Sequence, residues 1–243
     1  MRALKLGVMM GCAVALLATV VGAQGIQCAL QKAGALVLST DGQKLGMLEL
    51  NAHGPEWKYV SQTEAMAEAK NTEDDKGKVL TGRLPVPNTE GGAVTFIETV
   101  VPGDNKLDVT YDLSFDQAMT LNGLQVSLVL PAKRYAGKPV TLRMGEGERN
   151  LDLAMTLNRD LWELITVKGD QVRIASDTPD QITITTDQEA DIGVKDLRRW
   201  DRDEFEVRIA LITEQQGRQV SAADSFKIKL SLEFGGAVEL TGP

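Results

Sequence analysis

Histidine and cysteine are nearly absent: the 243 residues hold one histidine, His53, and two cysteines, Cys12 and Cys28. A single imidazole leaves no second ligand for a His-rich zinc site and serves at most one catalytic triad. Cys12 falls inside an N-terminal stretch that reads as an export signal, so the mature chain keeps only Cys28 and forms no intramolecular disulfide. Cys28 with His53 is then the one thiol nucleophile and base that could be assembled. The ordinary expectation is different: a thiol packed as a small hydrophobe, and a histidine just ahead of the turn pair Gly54-Pro55. Aromatic residues make up 5% of the chain, which counts against a broad stacking surface. No Gly-x-Ser-x-Gly elbow, His-Glu-x-x-His pair, Walker loop or dinucleotide fingerprint occurs. No cofactor is expected, and the sequence reads as more fitting for a non-catalytic protein than for an enzyme.

What is present begins with residues 1–23. Arg2 and Lys5 form a basic start, residues 8–21 are nearly all apolar, and Val21-Gly22-Ala23 supplies the cleavage site of a secretory signal. The expected location is extracytoplasmic, periplasmic or fully secreted, with no transmembrane segment after cleavage. Lipid anchoring is disfavoured, because the apolar run before Cys12 is too short and Gln27 is too large to precede a lipidated Cys28. The whole chain carries 26 basic and 34 acidic residues, and losing Arg2 and Lys5 leaves 24 against 34. Nucleic-acid affinity rests on Lys and Arg neutralising phosphates, so this balance excludes a nucleic-acid partner.

Beyond the signal the periodicity is that of strands. Phe226, Ile228, Leu230, Leu232 and Phe234 alternate with Lys227, Lys229, Ser231 and Glu233. Leu107, Val109, Tyr111, Leu113 and Phe115 alternate with Asp108, Thr110, Asp112 and Ser114, and Phe205, Val207, Ile209 and Leu211 with Glu206 and Arg208. Weaker copies cover residues 124–130, 140–144, 172–174 and 182–184. Turn chemistry separates them at Pro102-Gly103-Asp104-Asn105, Ala136-Gly137-Lys138, Gly145-Glu146-Gly147, Lys168-Gly169-Asp170 and Thr178-Pro179-Asp180. Strands with one apolar face need a second layer to cover it. The expected fold is all-β: a two-sheet antiparallel sandwich, jelly-roll or supersandwich-like, of roughly a dozen or more strands. Ser61-Gln62-Thr63-Glu64 fits a capping box ahead of Ala65, Met66, Ala67, Glu68, Ala69 and Lys70, which predicts a short helix there, and one short helix or helical turn in the fold. Residues 71–78 read as a mobile solvated loop, and residues 24–243 as a single domain.

Candidate site residues are few. Asp196-Leu197-Arg198-Arg199-Trp200 precedes the strand from Phe205, placing Asp196, Arg198, Arg199 and Trp200 on a loop at one end of the sandwich. An indole beside guanidinium and carboxylate groups suits a sugar, whose flat face packs on the ring while charged groups bond its hydroxyls. The rival expectation has Trp200 plugging the core, with the charges paired among themselves. Lys133-Arg134-Tyr135 is a basic turn whose Arg134 and Tyr135 could hold an anionic sugar. Trp57 with Tyr59, and Trp162 between Leu161 and Leu164, read as core. Asp187, Glu189 and Asp191 stand at alternate positions, but Gly193 falls outside the calcium-loop pattern and no closing glutamate follows, so structural calcium is only weakly indicated. No catalytic carboxylate pair can be chosen from 34 acidic residues.

The order of Leu84-Pro85-Val86-Pro87, the strand around Tyr111, Leu128-Val129-Leu130-Pro131 with Tyr135-Ala136-Gly137-Lys138, and Asp196-Leu197-Arg198 before Phe205 resembles secreted β-sandwich domains that accompany glycoside hydrolases in polysaccharide-degrading bacteria. The resemblance covers about residues 80–236 and implies a glycan-associated role outside the cytoplasm. It transfers no catalytic residues. Three readings follow: a non-catalytic carbohydrate-binding protein with a polysaccharide or glycan ligand, a small polysaccharide-active hydrolase or lyase, or a structural cell-surface assembly protein with a protein partner. Tyr135 beside Arg134 and Lys133 is the sequence-local grouping that a lyase could use.

Overall fold

The structure, a computed structural model, describes residues 25–243. The expected export signal and Cys12 lie outside the described residues. Alternating apolar residues form strands in chain order: β1 (Ile26–Leu30), β2 (Leu36–Thr40), β3 (Gln43–His53), β4 (Tyr59–Ser61), β5 (Met66–Asn71), β6 (Lys78–Pro85), β7 (Ala93–Pro102) and β8 (Lys106–Phe115). The second half of the chain adds β9 (Met119–Pro131), β10 (Pro139–Met144), β11 (Gly147–Asp152), β12 (Glu163–Ile174), β13 (Ile182–Asp196), β14 (Glu204–Val220), β15 (Ser225–Phe234) and β16 (Val238–Thr241). A single helical turn, α1 (Ala132–Tyr135), follows β9.

The strands join in the order β16-β1-β2-β3-β9-β14-β13-β15-β8-β7-β6-β5, with β4 beside β3 and the β10–β11 hairpin carried on β12 beside β13. Pairing is antiparallel except between β1 and β16. The sheet curls into two layers at β13, whose residues 182–186 pair with β15 while residues 191–196 pair with β14. The exposed stretch Asp187, Gln188 and Glu189 marks the change of partner. The all-β sandwich expected from the periodicity is therefore the fold found.

Between the layers lies an apolar core. Leu107, Val109, Tyr111, Leu113 and Phe115 of β8 face Leu48 and Leu50 of β3, Leu124, Val126, Leu128 and Leu130 of β9, and Phe205, Val207 and Ile209 of β14 across it, all buried. Cys28 is fully buried in the same cluster, and burial pushes its thiol up to about 12, so no thiolate forms near neutral pH. Sealed among apolar side chains, it packs as the small hydrophobe expected.

A polar knot crosses the core. Gln62 accepts the backbone N–H of Leu50 at 2.8 Å and donates to Oε2 of Glu98 at 2.7 Å. The Tyr111 hydroxyl is 2.9 Å from Oε1 of Glu98 and 3.3 Å from Oε1 of Gln62. Every member is buried, and burial raises the Glu98 carboxyl to about 8. This knot also explains why the expected helix is missing. The Ser61 side chain caps only a 3₁₀ turn at Gln62–Glu64, because Gln62 must turn inward to reach β3 and β7. Met66–Asn71 then runs as strand β5 against β6, with Ala67 and Ala69 packed on the core.

Candidate active site

Strands β3, β9 and β14 are buried on both faces, one apolar and one polar. On the polar face Glu49 stands opposite Ser127, Asn51 opposite Gln125 and His53 opposite Gly123. Ser127 in turn faces Arg208 on β14, and Val129 faces Glu206. Beyond them Lys195 of β13 lies opposite Glu206, Gly193 opposite Arg208, and Glu163 of β12 opposite Lys195. Side chains alternate along a strand, so this row points out of the sandwich while Leu48, Leu50, Leu128 and Val207 point in.

The β3 end of the row is partly covered. After β3 the chain turns at Pro55–Trp57, with Glu56 (φ 61) and Trp57 (φ 58) both left-handed, and returns along β3 as β4. Two such residues each cost about 1–3 kcal/mol, so the surroundings hold this turn in place. The turn brings Trp57 and Tyr59 onto His53, with ring centroids 5.5 and 5.4 Å apart. The Tyr59 hydroxyl lies 3.3 Å from Oε1 of Glu49 and 3.1 Å from Oδ1 of Asn51. Tyr59 stays 41% exposed, whereas Glu49 beneath it is 1% exposed. Two glycines make room for the larger neighbours: a Cβ on Gly193 would meet Arg208 Nε at 2.6 Å, and one on Gly123 would meet His53 Cδ2 at 2.8 Å.

The two buried carboxyl groups differ in their surroundings. Glu206 accepts at Oε1 from Ser127 Oγ (2.7 Å) and Gln125 Nε2 (2.9 Å). Among the described residues, none donates to its Oε2. Glu49 is raised above the usual carboxylate range by burial, against the pull of hydrogen bonds from Asn51, Ser61 and Tyr59 and the charge of Arg202. Its buried Oε2 has no hydrogen-bond partner. Burial and the adjacent Glu49 also raise Tyr59, keeping the phenol protonated. Lys195 is pulled down by burial and by the nearby charge of Arg208. Arg208 reaches Glu163 only at 3.7 Å, and its buried Nε is unpartnered. Burial lowers His53, which favours a neutral imidazole. The row thus sets a phenol backed by a buried carboxyl on one side of β9 and a second carboxyl group with an oxygen that no side chain bonds on the other, the pairing that acid–base chemistry uses.

Two clusters expected from sequence fall in different places. At the β12 end of the row, Leu197–Trp200 forms a 3₁₀ turn capped by Asp196, which is buried and bound by Arg198 at 2.7 and 2.8 Å. Arg198 also ties down the carbonyls of Ala154 and Met155. Arg199 stacks over Trp162 and Trp200, whose rings meet edge-on at 5.0 Å, and Trp200 is 51% exposed. Trp162 is therefore half-buried against Trp200 instead of lying in the core, and Trp57 and Tyr59 sit over the polar row for the reason given above. Arg134, by contrast, is paired with Asp180 at 2.6 Å and bonded to Gln43, and Tyr135 is fully buried with its hydroxyl donating to the Asp180 carbonyl. Those two residues fasten α1 to the 175–181 loop. Asp187, Glu189 and Asp191 are strung along β13, and among the described residues no group of three acidic, His or Cys side chains is placed to hold a metal.

Sequence reasoning missed Glu49, Asn51, Gln125, Ser127, Glu206 and Arg208. Their alternation with apolar residues reads as a solvated face. The available signal was in β9, where Gln125 and Ser127 are neutral polar groups, while a face open to water more often carries Lys and Glu.

Among protein-family models and curated proteins nothing matches the chain. Solved structures do match its fold. It is similar to a galactose mutarotase-like protein from Lactobacillus casei, with 12% identity, TM-score 0.54, and coverage of 83% of this chain and 94% of that one. It is also similar to a protein provisionally assigned as an aldose 1-epimerase from Escherichia coli K12, with 10% identity, TM-score 0.50, and coverage of 86% and 98%. A match of 10% identity and TM-score 0.50 to the α-galactosidase from Lactobacillus brevis covers 81% of this chain but 30% of that one. The shared feature is a curled β fold. These likenesses correct the expectation of a non-catalytic carbohydrate-binding module and of a chain more fitting for a non-catalytic protein than for an enzyme, since two of the neighbours, matched over nearly their full length, are described as mutarotase-like and epimerase proteins. The hydrolase or lyase alternative is no better matched.

Proposed function

We propose that the chain is an exported enzyme that interconverts the anomers of an aldose on the polar row of β3, β9 and β14. The carrying observation is the placement of Glu206, with Oε2 free, across β9 from the Tyr59 hydroxyl backed by Glu49. In the forward step Glu206 takes the proton of the anomeric hydroxyl, the bond from C1 to the ring oxygen breaks, and the ring oxygen receives the proton of the Tyr59 hydroxyl. Rotation about C1–C2 exposes the other face of the aldehyde, and the same groups run backwards to close the ring. Atoms and electrons balance with no co-reactant. Asn51, Gln125, Lys195 and Arg208 supply donors and acceptors for the remaining hydroxyls. The fold shared with a mutarotase-like protein supports this reading. The resemblance to domains that accompany glycoside hydrolases supports a place beside glycan breakdown, where hydrolysis releases a sugar as one anomer that must then equilibrate.

Polarimetry of freshly dissolved α-D-galactose and α-D-glucose tests the proposal. The purified protein should speed the decay of rotation beyond that in buffer, and Glu206→Gln should lower the catalysed rate by roughly 10²–10⁴. Decay no faster than in buffer for either sugar overturns the assignment.

A further inference from the structure

At the β12 end of the polar row the surface changes character. Lys195, opposite Glu206 on the next strand, reaches over the Trp162 ring at 5.2 Å, so the row runs without a break into the Trp162 and Trp200 pair. Of six exposed large hydrophobic residues among those described, Met155, Leu161 and Trp200 lie on the two segments that meet here. The ledge is already rigid. Arg199 donates to the Arg159 carbonyl at 2.7 Å, Arg159 donates back to the Arg199 carbonyl at 3.1 Å, and the buried Asp196 fixes the turn from below. Little conformational freedom remains to be lost when something docks on it.

Resting on the acid–base reading of the row, we infer that this ledge is a second sugar subsite and that the substrate is the reducing end of an oligosaccharide. From β14 to β12 is two strand spacings, about 9.6 Å. That spacing, measured between backbones, leaves room for a reducing ring at Glu206 and a second ring beside Trp162 and Trp200. A pyranose presents an apolar face of axial C–H groups to an exposed indole, while its hydroxyl edges meet the donors of Arg199 and Lys195. A protein partner would need an apolar surface that extends further, whereas this ledge is a narrow aromatic strip bordered by cations.

The test compares lactose, melibiose and cellobiose with D-galactose and D-glucose by isothermal titration and polarimetry, using the full mature chain, Trp200→Ala and Trp200→Phe. Trp200 is half exposed, so neither substitution empties the core, and circular dichroism checks that both variants fold. The disaccharides should bind the parent more tightly than the monosaccharides do. Trp200→Ala should weaken disaccharide binding by roughly two- to tenfold, with Trp200→Phe retaining most of it. Disaccharides that bind no more tightly than monosaccharides, or binding indifferent to Trp200→Ala, overturn the subsite. Binding that depends on Trp200 without turnover of any sugar keeps the subsite and overturns the acid–base reading instead.

Discussion

Replacing Glu98 by Gln should remove a pH dependence of stability that the fold builds in. Burial lifts this carboxyl from 4.5 to about 8, so between those values the folded chain keeps a proton that the unfolded chain has released. The folded state then binds more protons, and stability falls as pH rises through this window: the contribution is whole below 4.5 and lost by about 8. At 1.36 kcal/mol per pH unit the full loss is about 5 kcal/mol, a large part of the 5–15 kcal/mol that holds a domain folded. Gln is shaped like the protonated acid. Its amide can donate to the Tyr111 hydroxyl while its carbonyl accepts from Gln62, so the knot survives. Urea melts at pH 5, 6.5 and 8 read this directly. Parent and Glu98→Gln should have similar midpoints at pH 5, and the variant should be the more stable by several kcal/mol at pH 8. Glu49, which is raised like Glu98, and His53, which is lowered and so favours stability at higher pH, titrate in both proteins and cancel in the difference. Equal midpoints at pH 8, or a variant less stable there, would refute the account of Glu98 as a buried neutral acid.

Other outcomes follow from packing. Leu128 is fully buried at the middle of β9, so Leu128→Ala should cost about 2–5 kcal/mol by urea denaturation with the slope unchanged. Cys28, with its thiol pushed up to about 12 and no exposure, should be inert to Ellman's reagent at pH 8 in the native protein and react within minutes once unfolded in guanidinium.

The strands were legible because their cause is local. In β8, Leu107, Val109, Tyr111, Leu113 and Phe115 alternate with polar residues, and each of the five is buried. The same holds for Ile228, Leu230, Leu232 and Phe234 in β15. Ser61 was legible as a cap for an equally local reason, since it does accept the N–H of Thr63. Its helix failed because a long-range demand won: Gln62 bonds Glu98, 36 residues away, and that contact fixes a turn where helix propensity alone would continue. Arg198, Arg199 and Trp200 were visible as a cluster because they are neighbours in the chain. Their division into a clamp under the turn and a ledge above it depends on Asp196 being buried and on Trp162 arriving from β12.

The proposed acid–base row was not legible, and Glu206 shows why. In sequence it alternates with Phe205 and Val207 and reads as a residue facing water. Ser127 and Gln125 bond it from β9, 79 and 81 residues distant, and β4 folds back to bring Tyr59 over Glu49. Side-chain alternation decides which residues leave the core, and it is a property of one strand at a time. Whether the residues facing outward meet water or one another depends on which strands become neighbours and on how far the sheet curls. Sequence alone therefore determined the strands with clean alternation, such as β8 and β15, and their apolar face, and tertiary structure alone decided that the opposite face of β3, β9 and β14 would be a polar row whose members bond one another.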